Sequence, residues 1–502
     1  MQTVERWGIF EATVMGPQEG NPFLEWKFQG EFRSKNEVVQ ADGFYDGDGL
    51  YKVRFMPSFE GAYTYETSGN FPEAASSGEF TVTAPTADNH GPVRVANTYH
   101  FAYEDGTPYY CVGTTCYVWS HQPQAVRKKT LAELDKGYFN KLRFCIFPKH
   151  YQHNLRDPET FPYEGTPVDC ANLTPENVSE YDACEGNAWD FFRFNPAHFR
   201  RIETAIGELR DRGLEADVIV LHPYDRWGFS KMPKEADDLY WMYVIARFSS
   251  YRNVWWSLAN EYDLMKDKTL ADWERYASIL CQKDPYKHLR SIHNCVSFYD
   301  YTRPWVTHCS MQRQDLYRHV EYTDEYRLRY GKPVVWDEIA YEGNLDMGWG
   351  NISGQELTRR FWEAALRGGY AGHGETYVDP VHDILWWSHG GALHGDSPPR
   401  IRFLHTILSQ TPGHGLKRFR GVFDETVGVP DTLEPDGGYE IHYYGFGRPS
   451  FRHFWKKEGV AYRVEVIDTW EMTITDAGVH TGKFCIPLPG KPYMAVRLIR
   501  LN

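Results

Sequence analysis

Asn253-Val-Trp-Trp-Ser-Leu-Ala-Asn260 is a short apolar run that ends directly before a glutamate, Glu261. Pro333-Val-Val-Trp336 repeats this arrangement further along the chain and is followed by Asp337 and Glu338. Short apolar runs without polar alternation are typical of strands buried on both faces, as in a parallel sheet. The two stretches therefore predict strands of a parallel sheet, each with a carboxylate at its C-terminal end.

Between about residues 98 and 411, such apolar runs alternate with helical stretches, which is the order expected of βα units. Asn195-Pro196 predicts the start of one helix, and Ser353 with Glu356 predicts the start of another through a capping box. Eight candidate strands fall in this region: 109–115, 140–147, 216–222, 253–260, 288–294, 304–309, 332–338 and 370–376. The count predicts a (β/α)8 TIM barrel, in which the helix between strands five and six is poorly defined.

The chain on either side of this region shows the period-two alternation of antiparallel β structure. Near the start, Asp46-Gly47-Asp48-Gly49 is a turn signal between alternating runs at 38–45 and 50–56. Near the end, residues 462–467 and 493–501 alternate in the same way. The predicted fold class is therefore α/β, a barrel flanked by two β-sandwiches, with domains at 1–88, 89–415 and 416–502.

The charge balance excludes several classes of partner. Lys and Arg number 54 against 68 Asp and Glu, which gives a net charge of −14. An acidic surface repels nucleic-acid phosphates and anionic lipid. No apolar run reaches the length of a membrane span. We therefore expect neither a nucleic-acid nor a membrane partner.

The cysteines bear on the cellular compartment. There are nine, an odd number, and several lie inside apolar runs. This pattern favours buried thiols in a reducing compartment over a disulfide framework. The first residues, 1–7, lack the basic and apolar regions of a secretory signal. We predict a cytoplasmic location from these observations.

The strand ends indicate the chemistry. Active sites of such barrels lie at the C-terminal ends of the strands, so Glu261 after strand four and Glu338 after strand seven would face each other. Cleavage of a glycosidic bond uses such a pair, because one group protonates the leaving oxygen and the other attacks the anomeric carbon or activates water. Asp337 competes with Glu338, since adjacent strand residues point to opposite faces. The spacing to Tyr341 favours Glu338.

Two longer segments carry a family resemblance, Asp105–Gly113 (DGTPYYCVG) and Lys332–Gly343 (KPVVWDEIAYEG). Together with Asn260-Glu261 they resemble the clan A retaining glycoside hydrolases, and most closely the apiosidase-like barrel family with its flanking β domains. The resemblance implies that Glu261 is the general acid/base and Glu338 the nucleophile. Apiosidases have an Asp on strand four, so the resemblance does not extend to apiose as the substrate.

The same resemblance implies roles for neighbouring residues. Asn260 would bond the sugar hydroxyl beside the anomeric carbon. Arg143 on strand two would hold the nucleophile ionised through its positive charge, and Tyr341 would lie near that nucleophile. His222 and His308 match clan positions that line the innermost sugar site.

Further strand-end and loop residues are candidates for substrate binding. Asp225 and Glu375 offer acceptors for sugar hydroxyls, and Trp119 and Trp386 offer aromatic faces for stacking on sugar C–H groups. For each of them the alternative is a packed residue without ligand contact. Other polar residues at predicted strand ends are Tyr224, His293 and Gln312.

The long loops 148–194 and 378–399 at the barrel mouth favour a pocket over an open cleft. We predict an exo-acting retaining glycoside hydrolase for a small imported glycoside or oligosaccharide, without a cofactor. The alternative is a non-catalytic carbohydrate-binding barrel. His150 and His153 form a close pair without an obvious third ligand, so no metal site is predicted. The sequence is compatible with a homo-oligomer as well as with a monomer.

Overall fold

The fold is given by a computed structural model, which describes residues 2–168, 186–378, 385–419, 425–432 and 438–501. Two strand-rich regions flank a central parallel sheet of eight strands. This arrangement confirms the predicted fold class.

The eight parallel strands close into a barrel. In chain order they are Val112–Thr115, Lys141–Cys145, Glu215–Leu221, Val254–Ala259, Arg290–Ser291, Cys309–Met311, Val334–Trp336 and Tyr370–His373. The first strand pairs in parallel with both the second and the last. A parallel bridge between His293 and Ser310 joins strands five and six, so the ring is continuous.

The sixth strand differs from its prediction at 304–309, because the structure places it at Cys309–Met311. Pro304 has no amide hydrogen to give to a sheet, and the Val306 amide turns back to donate to the Arg303 carbonyl at 3.1 Å. No α-helix lies between Ser291 and Cys309, a segment that is described throughout. The poorly defined connection of the sequence is thus a loop.

Helices surround the barrel. The Asn195 side chain accepts from Ala197 N and starts one of them, and the Ser353 hydroxyl accepts from Glu356 N and starts another. Their bounds are Gln124–Leu134, Pro196–Arg210, Lys234–Phe248, Leu270–Lys283, Thr323–Tyr330, Gly354–Leu366 and Ser397–Leu408, with shorter helices at Pro22–Glu25 and Trp386–His389. Single 3-10 turns lie at Pro72–Ala74, Trp119–His121, Phe229–Lys231, Tyr262–Leu264, Val320–Tyr322 and Gly348–Gly350.

The N-terminal region is a sandwich of a five-stranded and a three-stranded sheet. The turn predicted at 46–49 joins two of its strands, with Gly47 and Gly49 both at positive φ, a conformation that glycine adopts without strain. Phe32 and Phe55 from the two sheets stack in its core. Its strands are Gln2–Glu5, Phe10–Met15, Phe28–Arg33, Val38–Asp42, Phe44–Tyr45, Leu50–Phe55, Gly61–Gly69 and Ser76–Thr83.

The C-terminal region is a six-stranded sheet with a two-stranded partner. Its strands are Leu416–Phe419, Thr426–Pro430, Tyr439–Tyr443, Phe451–Trp455, Ala461–Asp468, Thr473–Thr481, Lys483–Pro487 and Met494–Arg500. Three smaller strand pairs attach to the barrel, Val93–Ala96 with His100–Tyr103, Tyr163–Thr166 with Ala188–Phe194, and Glu342–Gly343 with Glu375–Thr376.

Buried ion pairs join the N-terminal sandwich to the barrel helices. Arg54 of the sandwich donates to Glu203 at 2.6 Å, and Arg247 of the barrel donates to the same carboxylate at 2.8 Å. Arg247 also contacts Asp46 of the sandwich at 2.8 Å. All four side chains are buried. Each charge therefore depends on its partners to offset the cost of burial, and these ion pairs hold the two regions together.

We predict that Glu203→Ala destabilises the protein by about 3–5 kcal/mol, because it leaves two buried guanidinium groups short of a carboxylate. Urea unfolding followed by tryptophan fluorescence measures the change. Glu208→Ala is the matched control, because Glu208 lies on the same helix as Glu203. It pairs with Arg127 of a neighbouring helix in a partly exposed ion pair, and such pairs contribute about 1 kcal/mol or less. Equal losses in the two variants would contradict the prediction.

Candidate active site

A cavity of about 230 Å³ lies at the C-terminal end of the barrel strands. Glu261 and Glu338 both line it. Its described lining is Tyr117, Lys149, Tyr151, Tyr224, Glu261, Cys295, Gln312, Gln314, Glu338, Trp349 and Trp387. A larger groove of about 880 Å³ lies beside the N-terminal sandwich and contains neither glutamate. The smaller cavity is therefore the candidate active site.

Glu261 is positioned by an unusual backbone conformation. It follows strand Val254–Ala259 and has φ +52°, in the left-handed region that few residues other than glycine adopt. The conformation is fixed on both sides, because Asn260 N donates to Leu221 O and Tyr262 N donates to His293 O. Strain held in place by its surroundings is common at functional sites.

The Glu261 carboxyl group has three polar neighbours. Gln312 Nε2 donates to Oε1 at 2.9 Å, Asn260 Nδ2 donates to Oε2 at 3.2 Å, and the Tyr224 hydroxyl donates to the same Oε2. Burial raises the pKa of Glu261, and the negative charge of Glu338 raises it further. The protonated form is thereby favoured.

Glu338 is in the opposite situation. The Tyr117 hydroxyl donates to its Oε1 at 2.5 Å, and His293 Nε2 lies 3.4 Å from the same atom. Burial alone would raise its pKa, but His293, Tyr117 and the charge of Lys149 together lower it to about 2. Two carboxyl groups in one cavity thus have protonation states that are driven apart, which is the arrangement that separates an acid from a nucleophile.

Asp337, the competing carboxylate, points into the barrel interior. It accepts from Lys141 Nζ at 2.8 Å and from Ser310 Oγ at 2.5 Å. Lys141 also donates to Asp217 at 2.6 Å. Burial opposes ionisation of Asp337, but Lys141 and Arg143 lower its pKa well below the ordinary value. Asp337 therefore belongs to a buried ion cluster, which we define as Lys141, Arg143, Asp217 and Asp337.

Arg143 connects this cluster to Asn260. Its Nη2 donates to Asn260 Oδ1 at 2.9 Å and its Nη1 to Ser257 Oγ at 3.1 Å. The Tyr117 hydroxyl lies 3.2 Å from the same Asn260 oxygen. Tyr117 and His293 contact Glu338 directly. Arg143 contacts Asn260 instead, which Tyr117 also contacts. The side chains that lower the pKa of Glu338 are thus His293, Tyr117 and Lys149, and the role predicted for Arg143 stays a prediction.

Three further predicted residues are buried near the barrel core. Tyr341 packs on Trp387 beside the cavity, and burial together with the charge of Glu338 raises its pKa well above the usual range. His222 Nε2 lies 3.3 Å from the Phe147 carbonyl. His308 packs against Trp255, with ring centroids 5.2 Å apart, close to the buried ion cluster.

The remaining predicted residues have structural partners. Asp225 accepts from the backbone of Trp227 and Ser230, and Glu375 accepts from Gly395 N. Trp119 packs on Phe144, and Trp386 Nε1 donates to Thr114 Oγ1. Nine predicted residues are absent from the described lining of the cavity: Asn260, Tyr341, Arg143, His222, His308, Asp225, Glu375, Trp119 and Trp386. For the last four, the structure gives the packed arrangement that the sequence left as an alternative.

The lining residues missed by the sequence reasoning include Tyr117 and Lys149. Both follow the C-terminal end of a barrel strand, the first after Val112–Thr115 and the second after Lys141–Cys145. The rule that locates Glu261 could have identified them. Tyr224, His293 and Gln312, named only as polar strand ends, all contact one of the two glutamates.

Metal-binding clusters and membrane-spanning helices are both absent from the described part of the chain. No three His, Cys, Asp or Glu side chains there are grouped to hold a metal ion. Within the same residues, no helix combines the length and apolar character needed to cross a membrane.

Comparison with known families assigns the barrel to a family. Residues 95–393 match the family model of the apiosidase-like catalytic domain. The chain belongs to the apiosidase-like family. Residues 3–70 and 428–499 match two domains of unknown function, DUF5060 and DUF5605. No match was found among curated proteins.

Solved structures agree with this assignment. A candidate glycoside hydrolase from Bacteroides vulgatus ATCC 8482 is 33% identical, with a TM-score of 0.91 over 100% of both chains. A glycoside hydrolase family 5 structure from the same organism has a TM-score of 0.61 over 82% of this chain and 93% of its own, at 12% identity, which shows a shared fold alone. The apiosidase-like protein is a glycoside hydrolase.

We predict that the two adjacent acids differ in their effect on stability. Asp337→Asn removes a charge from the buried ion cluster and should lower the free energy of unfolding by about 3–5 kcal/mol. Glu338→Gln removes a charge that faces Glu261 and should leave stability unchanged or slightly higher. Thermal unfolding of both variants measures the difference, and an equal loss in the two would contradict the assignment of Asp337 to the core.

Proposed function

We propose that this apiosidase-like protein is a retaining glycoside hydrolase with Glu338 as nucleophile and Glu261 as general acid/base. The observation that supports the proposal is the opposed protonation of the two carboxyl groups in one cavity. A carboxylate that stays ionised can attack, and a carboxyl group that stays protonated can donate.

The chemistry follows in two steps. The Glu338 carboxylate attacks the anomeric carbon while the Glu261 carboxyl gives its proton to the departing glycosidic oxygen, which leaves a covalent glycosyl-enzyme. Glu261, now a carboxylate, takes a proton from water, and the water oxygen attacks the anomeric carbon and releases Glu338. At the end Glu261 is protonated again and Glu338 is again a free carboxylate, so the enzyme is regenerated without a cofactor.

The size and lining of the cavity support removal of a terminal sugar from a small glycoside. At about 230 Å³ the cavity is smaller than the usual pocket for a drug-sized ligand. Tyr151, Trp349 and Trp387 supply aromatic walls, and Gln312 and Gln314 supply amides that bond hydroxyl groups. A single sugar ring fits this combination of space and chemistry.

The compartment is also part of the proposal. The seven described cysteines are all free thiols, which supports a reducing, cytoplasmic location. Cys170 and Cys184, which the sequence reasoning also used, lie outside the described residues.

We predict that Glu338→Gln lowers kcat on an activated aryl glycoside by about four orders of magnitude or more, because the nucleophile is lost. A panel of 4-nitrophenyl glycosides with the wild-type protein identifies the substrate, and the variant is then measured on it. The wild-type protein should also release the sugar with its anomeric configuration retained, as followed by proton NMR.

Two results would overturn the assignment. An active Glu338→Gln variant would exclude Glu338 as the nucleophile, and an inverted product would exclude the double displacement. Glu208→Gln on the barrel surface is the matched control for a Glu-to-Gln change. A wild-type protein that binds sugars and releases no nitrophenol would favour the non-catalytic binding barrel.

We predict that two tyrosines control opposite limbs of the pH profile. Tyr117→Phe removes the donor to Glu338, so the pKa of Glu338 rises and the acidic limb of kcat/KM moves to higher pH. Tyr224→Phe removes a donor that lowers the pKa of Glu261, so the basic limb also moves to higher pH, since activity requires protonated Glu261. Loss of one such hydrogen bond corresponds to a shift of about 1–2 pH units.

The two variants serve as controls for each other, since each removes one hydroxyl from the same cavity. A shift of the basic limb in Tyr117→Phe, or of the acidic limb in Tyr224→Phe, would mean that the roles of the two glutamates are exchanged.

A further inference from the structure

Lys149 lies inside a cage of aromatic rings at the wall of the cavity. Its Nζ is 3.6 Å from the ring centroid of Tyr117, 4.1 Å from that of Tyr224 and 4.9 Å from that of Trp387. The residue is 4% exposed. Ring faces within about 6 Å attract a cation but do not neutralise its charge. A positive group is thus held at a fixed place beside Glu261 and Glu338.

The other deeply buried lysines of the barrel have carboxylate partners. Lys141 donates to Asp217 and Asp337, and Lys268 donates to Asp237 at 2.5 Å. For Lys149, no carboxylate among the described residues comes within the 4.0 Å of an ion pair. Burial lowers the pKa of Lys149, although the charges of Cys145, Glu261 and Glu338 oppose that shift. Lys149 is therefore a buried cation without a paired anion.

Neither glutamate of the cavity can be its close counter-ion. Glu261 is favoured in its neutral form. Glu338 is already bonded to Tyr117 and lies 3.4 Å from His293.

His293 lies between Ser310 and Glu338. Ser310 Oγ donates to Asp337, so the Ser310 oxygen accepts from His293 Nδ1 at 3.1 Å. Glu338 thus has Tyr117 and His293 as its own neighbours, and Lys149 is left for a ligand.

We propose that Lys149 pairs with a carboxylate of the substrate, so that the cavity accepts an acidic sugar, a uronic acid. The proposal rests on the hydrolase function proposed above for the same site. A charge-assisted bond to the ammonium group would recover what its burial costs. A neutral sugar would leave that ammonium unpaired, and sites built for a polar partner reject analogues that lack it.

The test uses 4-nitrophenyl glycosides of glucuronic and galacturonic acid in both anomers, with the matched glucosides and galactosides. For the wild-type protein we expect kcat/KM on one acidic glycoside to exceed that on its neutral counterpart by about 100-fold or more. In Lys149→Met, which keeps the length of the side chain, this ratio should fall to near one. Lys149→Arg should keep most of the preference, and Lys128→Met on an exposed helix position is the control.

A binding measurement keeps the test independent of turnover and of folding. Calorimetry compares free glucuronate and galacturonate with glucose and galactose, using Glu338→Gln with and without Lys149→Met, after thermal unfolding has shown that each variant is folded. Uronate binding that is lost with Lys149 supports the proposal. Equal binding of acidic and neutral sugars, or no binding of either uronate, overturns it.

The outcomes separate this inference from the proposed hydrolase function. Lys149-dependent uronate binding without hydrolysis of any glycoside would refute the hydrolase function alone. Glu338-dependent hydrolysis of neutral glycosides, with uronides excluded, would refute the role of Lys149 alone. An equal loss on acidic and neutral substrates in Lys149→Met would show that the lysine acts on the glutamates and not on the substrate.

Discussion

The buried ion cluster in the barrel interior is the constraint on which the active site depends. Lys141 holds Asp337 in the barrel interior, and Glu338, the next residue, lines the cavity. Arg143 of the same cluster donates to Asn260, which in turn donates to Glu261. The charges beneath the cavity floor therefore fix the position of both carboxyl groups above it.

The two glutamates share one solvent-poor cavity and yet differ in protonation because their neighbours differ. Glu261 has neutral donors, so its burial is not offset and the proton stays. Glu338 has His293 and the short bond from Tyr117, which outweigh the same burial. Since the Tyr117 hydroxyl also lies beside Asn260 and its ring lies beside Lys149, one tyrosine connects Glu338, Asn260 and the caged lysine.

The sequence was sufficient for the barrel and for bringing Glu261 and Glu338 to one cavity, because apolar runs that end in acids report burial and strand polarity directly. It was insufficient for residues such as His222 and His308, since a polar residue at a strand end can face the cavity or the core, and the pleat that decides this depends on register. Lys149 was missed because its partners, Tyr117, Tyr224 and Trp387, come from separate segments. A cage assembled from distant segments leaves no local pattern.

The left-handed backbone at Glu261 has a consequence for how this site can change. Among side chains with a carboxylate, aspartate tolerates that conformation better than glutamate, yet it is one methylene shorter. Glutamate at this position therefore has a less favourable backbone conformation than aspartate would have, and a longer side chain. A change of Glu261 to Asp would relax the backbone and draw the carboxyl group back from the cavity.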